Sequence, residues 1–216
     1  MAWSTGKDSL WALHVARQMG TLEIAGLLTT VTETYQRVSM HAVRDELLDA
    51  QASSLRLPVY RVLISSPCSD EQYRVAMREA MGRARDAGVT RIIFGDLFLE
   101  DVRAYREERL RGTGIEPVFP LWGSNTRDLA EEMIEAGVQA YVTCLDPRVM
   151  PREMAGRAFD RAFLDELPEG VDPCGERGEF HTFVWNSPDF RRPIPVAVGQ
   201  TVEREGFVFT DVLTRG

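Results

Sequence analysis

The residues best suited to chemistry stand near the start of the chain, in the string Ser4-Thr5-Gly6-Lys7-Asp8-Ser9. Lys7 is the only lysine; apart from three histidines, every other basic side chain is arginine. A compact ammonium with rotatable donors fits a tight phosphate cradle better than a planar guanidinium does. Ser4, Thr5, Gly6 and Ser9 add small side chains and hydroxyls, and a helical pattern follows at once. A glycine-containing turn that feeds a helix offers backbone N–H groups to an anion, assisted by the helix dipole. The string therefore reads as a phosphate loop. It is not a Walker A loop, which needs a further upstream glycine and a Ser/Thr directly after the lysine; here Asp8 follows Lys7. Asp8 has three readings that the sequence leaves open: it orients the loop, holds Mg²⁺ through water, or simply answers the helix dipole.

Further candidates lie downstream. Gly95-Asp96-Leu97-Phe98 ends an apolar stretch, and Asp101, Tyr105 and Arg106 follow in EDVRAYREERL. Phe119-Pro120-Leu121-Trp122 comes next, and then Cys174-Gly175-Glu176-Arg177-Gly178-Glu179-Phe180-His181-Thr182. The first string resembles the PP-loop of the N-type ATP pyrophosphatases, usually SGGKDS, with Thr5 in place of the first glycine. In this order and spacing, the whole set resembles the diphthine–ammonia ligase family, including its bacterial members, from Ser4 to about Phe190. There are two departures. His181-Thr182 stands where Glu-Thr is common in the archaeal and eukaryotic ligases, and the first strand is short, as if trimmed.

The resemblance implies an ATP-dependent, AMP-forming carboxylate–ammonia ligase with ATP and Mg²⁺ as cofactors. A carboxylate-bearing substrate, either a small molecule or a modified protein side chain, attacks the α-phosphate, and ammonia then displaces AMP. Ser4, Thr5, Gly6, Lys7, Asp8 and Ser9 become the ATP cradle, with Lys7, Asp8, Glu176 and Glu179 as catalytic residues. Ligands of open α/β sheets lie beyond the carboxyl ends of the strands. That places Thr29 and Thr30 near the adenosine, and Gly95 and Asp96 near the α-phosphate or ribose; ordinary strand propensity and a plain turn are the competing readings. Glu176 and Glu179 are read as holding Mg²⁺, binding ammonium or accepting a proton, against solvated loop charge. Asp101, Tyr105, Arg106, His181 and Thr182 are assigned to the substrate. Asp101 and Tyr105 share a helix face, and Arg106 suits a carboxylate, but a surface ion-pair network with Glu107, Glu108 and Arg109 fits equally. His181 is either a general base or a packed residue. Two rival functions stay open: a PP-loop enzyme that thiolates tRNA, and a non-catalytic ATP-binding sensor.

These residues need a scaffold. The chain has 216 residues, 44% hydrophobic and 27% charged, enough for a real core. A net charge of −8 and a pI near 5.0 argue against general nucleic-acid affinity. Cys68, Cys144 and Cys174 form no CxxC pair, so neither a zinc site nor a disulfide framework is indicated. No membrane span or signal peptide is evident, and a reducing cytoplasm is expected; a homodimer stays open. The pattern predicts helices over Ser9–Met19, Met40–Leu55, Asp70–Ala87, Leu99–Arg111, Thr126–Ala136 and Glu153–Leu167. It predicts strands over Glu23–Val31, Val59–Ile64, Arg91–Gly95, Pro117–Leu121, Gln139–Leu145 and Phe180–Trp185, with hairpins over Pro195–Val212. Alternating strands and helices predict a doubly wound, mostly parallel sheet with a smaller α+β C-terminal region. The expected division is an ATP-binding domain over 1–122 and a substrate-binding region over 123–216, meeting at the turn Trp122–Asn125.

Overall fold

The computed structural model describes residues 1–32, 37–38, 43–65 and 67–215 of a mixed α/β protein. In chain order the elements begin with α1 (Lys7–Gln18), β1 (Leu27–Thr32), β2 (Arg37–Val38), α2 (Asp45–Leu55) and β3 (Val59–Ile64). Next come α3 (Asp70–Asp86), β4 (Arg91–Ile93), α4 (Glu100–Leu110), β5 (Glu116–Val118) and α5 (Thr126–Glu135). The chain continues with β6 (Gln139–Leu145), α6 (Arg161–Asp165), β7 (Phe180–Asn186), β8 (Val196–Arg204) and β9 (Phe207–Thr214). Strands pair as β2-β1-β3, β4-β5 and β7-β6-β9-β8. The β1–β3 and β4–β5 pairs are parallel, whereas the C-terminal sheet is antiparallel throughout.

Residues 1–3 run between the two parallel pairs. The Ala2 N–H donates to the Ile93 carbonyl at 2.9 Å, and the Trp3 N–H donates to the Leu28 carbonyl at 2.8 Å. Both faces of β4 are covered. Ile93 joins the core around α1, while Ile92 packs with Ala80 and Met81 of α3. That is the alternation of a strand buried on both sides. In α1, Leu10, Leu13 and Ala16 are fully buried at helical spacing, with Trp11 beside them at 2% exposure. Each large side chain so buried contributes roughly 1.5–3 kcal/mol, which holds the helix start, and so the loop before it, against the sheet.

Several expected elements differ in the structure. The segment predicted as one helix over Glu153–Leu167 is a 3₁₀ turn (Arg152–Met154), an extended stretch and the short α6. Gly156 takes a left-handed φ of 80°, which stops a helix. The chain then pairs with β6, Gly156 donating to the Val142 carbonyl and Phe159 to the Ala140 carbonyl, each at 2.9 Å. Asp160 restarts the helix as its cap, Oδ1 accepting from the Phe163 N–H at 2.8 Å. The cap of α3 is Ser69; Ser69 and Gln72 form a reciprocal capping box. The strand expected from Glu23 begins at Leu27. The expected helix start at Met40 lies outside the described residues, and α2 begins at Asp45.

Candidate functional site

The loop Ser4–Ser9 is closed by its own hydroxyls. Ser9 Oγ donates to the Gly6 carbonyl at 2.9 Å and lies 3.1 Å from Ser4 Oγ, which accepts from the Gly6 N–H at 3.3 Å. Thr5 holds a φ of 73°, a region that costs a β-branched residue strain. Its carbonyl is gripped by Gln51 Nε2 at 2.9 Å and by the Val184 N–H at 3.1 Å. Gly95 backs directly onto the loop: a Cβ there would sit 2.9 Å from the carbonyl carbon and oxygen of Asp8. Only glycine lets the end of β4 approach that closely.

The C-terminal region reaches over the same loop. Helix α1 has Gly6 as N-cap with no side-chain cap of its own. Instead Thr182 Oγ1, from β7, accepts the Lys7 N–H at 3.1 Å. The Lys7 side chain, 1% exposed, bonds both carboxylate oxygens of Asp8 at 2.8 and 2.9 Å and also donates to the Cys174 carbonyl. Its ammonium lies 5.4 Å from the Phe159 ring centroid and 5.3 Å from that of Phe180, close enough for cation–π attraction. Burial alone drives this amine toward its neutral form, but Asp8, with help from Cys174 and Asp172, outweighs it and holds the pKa above its ordinary value. The group stays a cation.

Glu176 closes the ring from the other side. Its Oε1 accepts the Leu97 N–H at 2.8 Å, directly after Gly95-Asp96. Burial, then repulsion from Asp8 and Asp96, pushes its carboxyl up to about 7 against the pull of that N–H. Gly175, at φ 69°, makes the turn, and Asp172 Oδ2 accepts the Glu176 N–H at 2.9 Å. The loop, the turn after β4 and the Cys174–Thr182 motif thus converge.

A family profile described as the diphthamide synthase N-terminal domain matches residues 1–117, and one described as the diphthamide synthase C-terminal domain matches residues 125–212. This chain belongs to the diphthamide synthase family. Among its relatives, the diphthine–ammonia ligases of Bos taurus and Homo sapiens are each 27% identical, over 82% of this chain and 70% of theirs. That of Danio rerio is 25% identical over 82% of this chain and 74% of its own.

Within this diphthamide synthase fold the expected site residues separate. Ser4, Thr5, Gly6, Lys7, Asp8, Ser9, Gly95, Glu176 and Thr182 come together. Thr29 is buried on β1 and Thr30 half-buried beside it. Asp96 pairs with Arg106 at 3.3 Å at the edge of the cluster. Glu179 is a loop clasp: its carboxylate accepts the Asp172 N–H at 3.1 Å and the Arg177 N–H at 2.9 Å. His181 is half-buried, and burial, with Lys7 nearby, brings it down to about 4, so it is neutral near pH 7. Asp101 and Tyr105 are exposed on α4, with Tyr105 covered by Arg109 at 4.9 Å.

Asp8 answers Lys7 with both carboxylate oxygens. Among the described residues, no group of three or more His, Cys, Asp or Glu side chains is disposed to hold a metal ion. The thiols of Cys144 and Cys174 are pushed up by burial, Cys144 to about 12, as inert cysteines are. Sequence reasoning missed Gln51, Asp172 and the Phe159–Phe180 pair. A signal for Gln51 existed: it falls midway between Leu47 and Leu55 on the buried stripe of α2, where a polar residue in a core position needs partners. It finds them in Trp3 Nε1 and the carbonyls of Thr5 and Val184, at 2.9, 2.9 and 2.7 Å.

Proposed function

We propose that this chain is an ATP-dependent ligase that joins ammonia to a carboxylate, forming an acyl-adenylate with release of pyrophosphate. The observation that carries this is the convergence of the Ser4–Ser9 loop, Gly95-Asp96 and Glu176 on one fixed cation. The site suits a polar, multiply charged ligand. Thr5 Oγ1 and Thr29 Oγ1 are buried without a hydrogen-bond partner among the described residues, a costly state that nucleotide oxygens would relieve. Ser4, Gly6, Lys7 and Ser9 are the residues to hold the phosphates, with Thr29 and Thr30 toward the adenosine. ATP supplies the leaving pyrophosphate and then the leaving AMP. Lys7, held in place by Asp8, sets a positive field where charge develops on the phosphates. Glu176, with its pKa near neutrality, takes the proton that ammonia loses as nitrogen bonds to the acyl carbon.

The scaffold reading belongs to the same proposal. With residues 1–3 as a central strand, the parallel pairs join in the order β3, β1, residues 1–3, β4, β5, the doubly wound arrangement that binds nucleotides at its switch point. The hydrogen bonds of Ala2 and Trp3 to either side support it. We divide the chain at Trp122–Asn125 into an ATP-binding part, 1–122, and a substrate-binding part, 123–216. The two unlinked buried cysteines suit a reducing cytoplasm. Supplying carboxylates labelled with ¹⁸O together with ATP and ammonium tests the chemistry. Label transferred into AMP is the expected result; ADP formation, or AMP release indifferent to any carboxylate, refutes it. Diphthine is the acid named by the relatives and the first to try.

A further inference from the structure

The strongest feature outside this site is a groove of about 480 Å³ between α3 and α4, within the size of pockets that enclose small molecules, roughly 300–1,000 Å³. Met81, Ile92, Phe94 and Leu110, all buried, form its apolar floor. Its rim carries Arg74, Arg78, Arg85, Arg106, Arg109 and Arg111 against a single acidic residue, Glu108. In a chain of net charge −8, a rim so rich in arginine is not a reflection of composition. Arg74, Arg85, Arg106 and Arg111 have carboxylate partners within the chain, in Glu71, Asp86, Asp96 and Glu108. Arg78 and Arg109 have none among the described residues, and the Arg109 guanidinium rests on the Tyr105 ring at 4.9 Å.

Gly82 also lines the groove, in the interior of α3, and a Cβ placed there would meet nothing within 4 Å. Glycine is a poor helix former, and no close packing demands it here; what its missing side chain supplies is room. The groove lies on the α3 face of β4, away from the phosphate loop, because Ile92 points to it while Ile93 points to α1. Guanidinium forks above an apolar floor match carboxylates or phosphates carried on a hydrocarbon or aromatic frame. We propose that the α3–α4 groove is a second binding site, for a small ligand bearing two or more anionic groups on an apolar body.

Calorimetric titration with benzene-1,3,5-tricarboxylate and with 1,3-phenylene bisphosphate tests this and separates the two anion chemistries. One probe or both should bind the intact protein, with affinity falling at least tenfold in Arg78→Glu/Arg109→Glu. Gly82→Trp, which fills the groove without changing charge, should abolish binding while leaving the circular dichroism spectrum unchanged. Lys7→Met should bind both probes as the parent does, which keeps this result independent of the ATP reading. Failure of both probes to bind, or binding that survives Gly82→Trp, would overturn the proposal; so would binding lost in Lys7→Met alone.

Discussion

Three side chains in the site are held in states that cost stability, and each yields a prediction. Thr5 combines a φ of 73° with an orphaned buried hydroxyl. Thr5→Gly relieves both, against a small cavity and a freer unfolded chain. Chemical denaturation of the nucleotide-free protein should show a gain of about 1 kcal/mol. Removing Lys7 leaves Asp8 facing an apolar cage. Asp8 is 30% exposed, so Lys7→Met should cost roughly 2–3 kcal/mol, the low side of breaking a buried pair. Lys7→Met/Asp8→Asn should restore most of that without restoring turnover; restored turnover would remove Lys7 from the chemistry. Burial pushes the Glu176 carboxyl up to about 7; with Glu176 as the proposed base, amide formation at fixed free ammonia should rise as pH passes through about 7. Glu176→Gln should keep ATP binding and lose that rise along with the product. The structure brings the Ser4–Ser9 string, Gly95, Glu176 and Thr182 together; residue type pointed to the string, and the family resemblance to the other three. Glu179 stands apart, its carboxylate accepting loop N–H groups, an arrangement set by a backbone fold that composition does not specify.

At the scale of elements, β3 (Val59–Ile64) and β6 (Gln139–Leu145) appear at the predicted bounds because they are short β-rich runs set off by Pro58 and by Gly137. The helix predicted over Glu153–Leu167 failed for a physical reason. Its apolar spacing suits a helix, but Gly156 adopts the left-handed region, and the first half of β6, which β9 does not reach, is open to pairing. Tertiary pairing then outweighs local propensity. The parallel strands and a short first strand were foreseen, whereas the place of residues 1–3 between the two pairs is set by tertiary hydrogen bonds that no local pattern encodes. The contact between β4 and the loop is the element-level test. In Gly95→Ala the new Cβ meets the Asp8 carbonyl group at 2.9 Å, and backbone cannot yield as a flexible side chain does. Destabilisation of about 1–3 kcal/mol is expected, with nucleotide affinity falling as the loop is displaced; an unchanged melting curve would show that the two segments are not in contact.

Over the whole molecule, the two halves share one core, which runs from Trp3 through Leu47 to Phe180 and Val212. They are also clasped at the surface. Asp189 takes His14 at 2.7 Å and Arg17 at 2.9 Å, and Arg44 pairs with Asp211 at 2.6 Å. Partly exposed pairs of this kind add little individually; the shared apolar surface decides. The intact chain should therefore melt in one transition, and a 1–122 fragment should not fold cooperatively by itself, as read by denaturant titration. The second half also supplies acceptors to the first, Thr182 for the Lys7 N–H and Glu176 for the Leu97 N–H after β4. The most direct test is a crystal structure with α,β-methylene-ATP, whose bridging carbon blocks cleavage. The phosphates are expected on Ser4–Ser9 beside Lys7, with the base toward Thr29 and Thr30. A ligand bound elsewhere, with the Lys7 cage closed and the loop bare, would contradict the account.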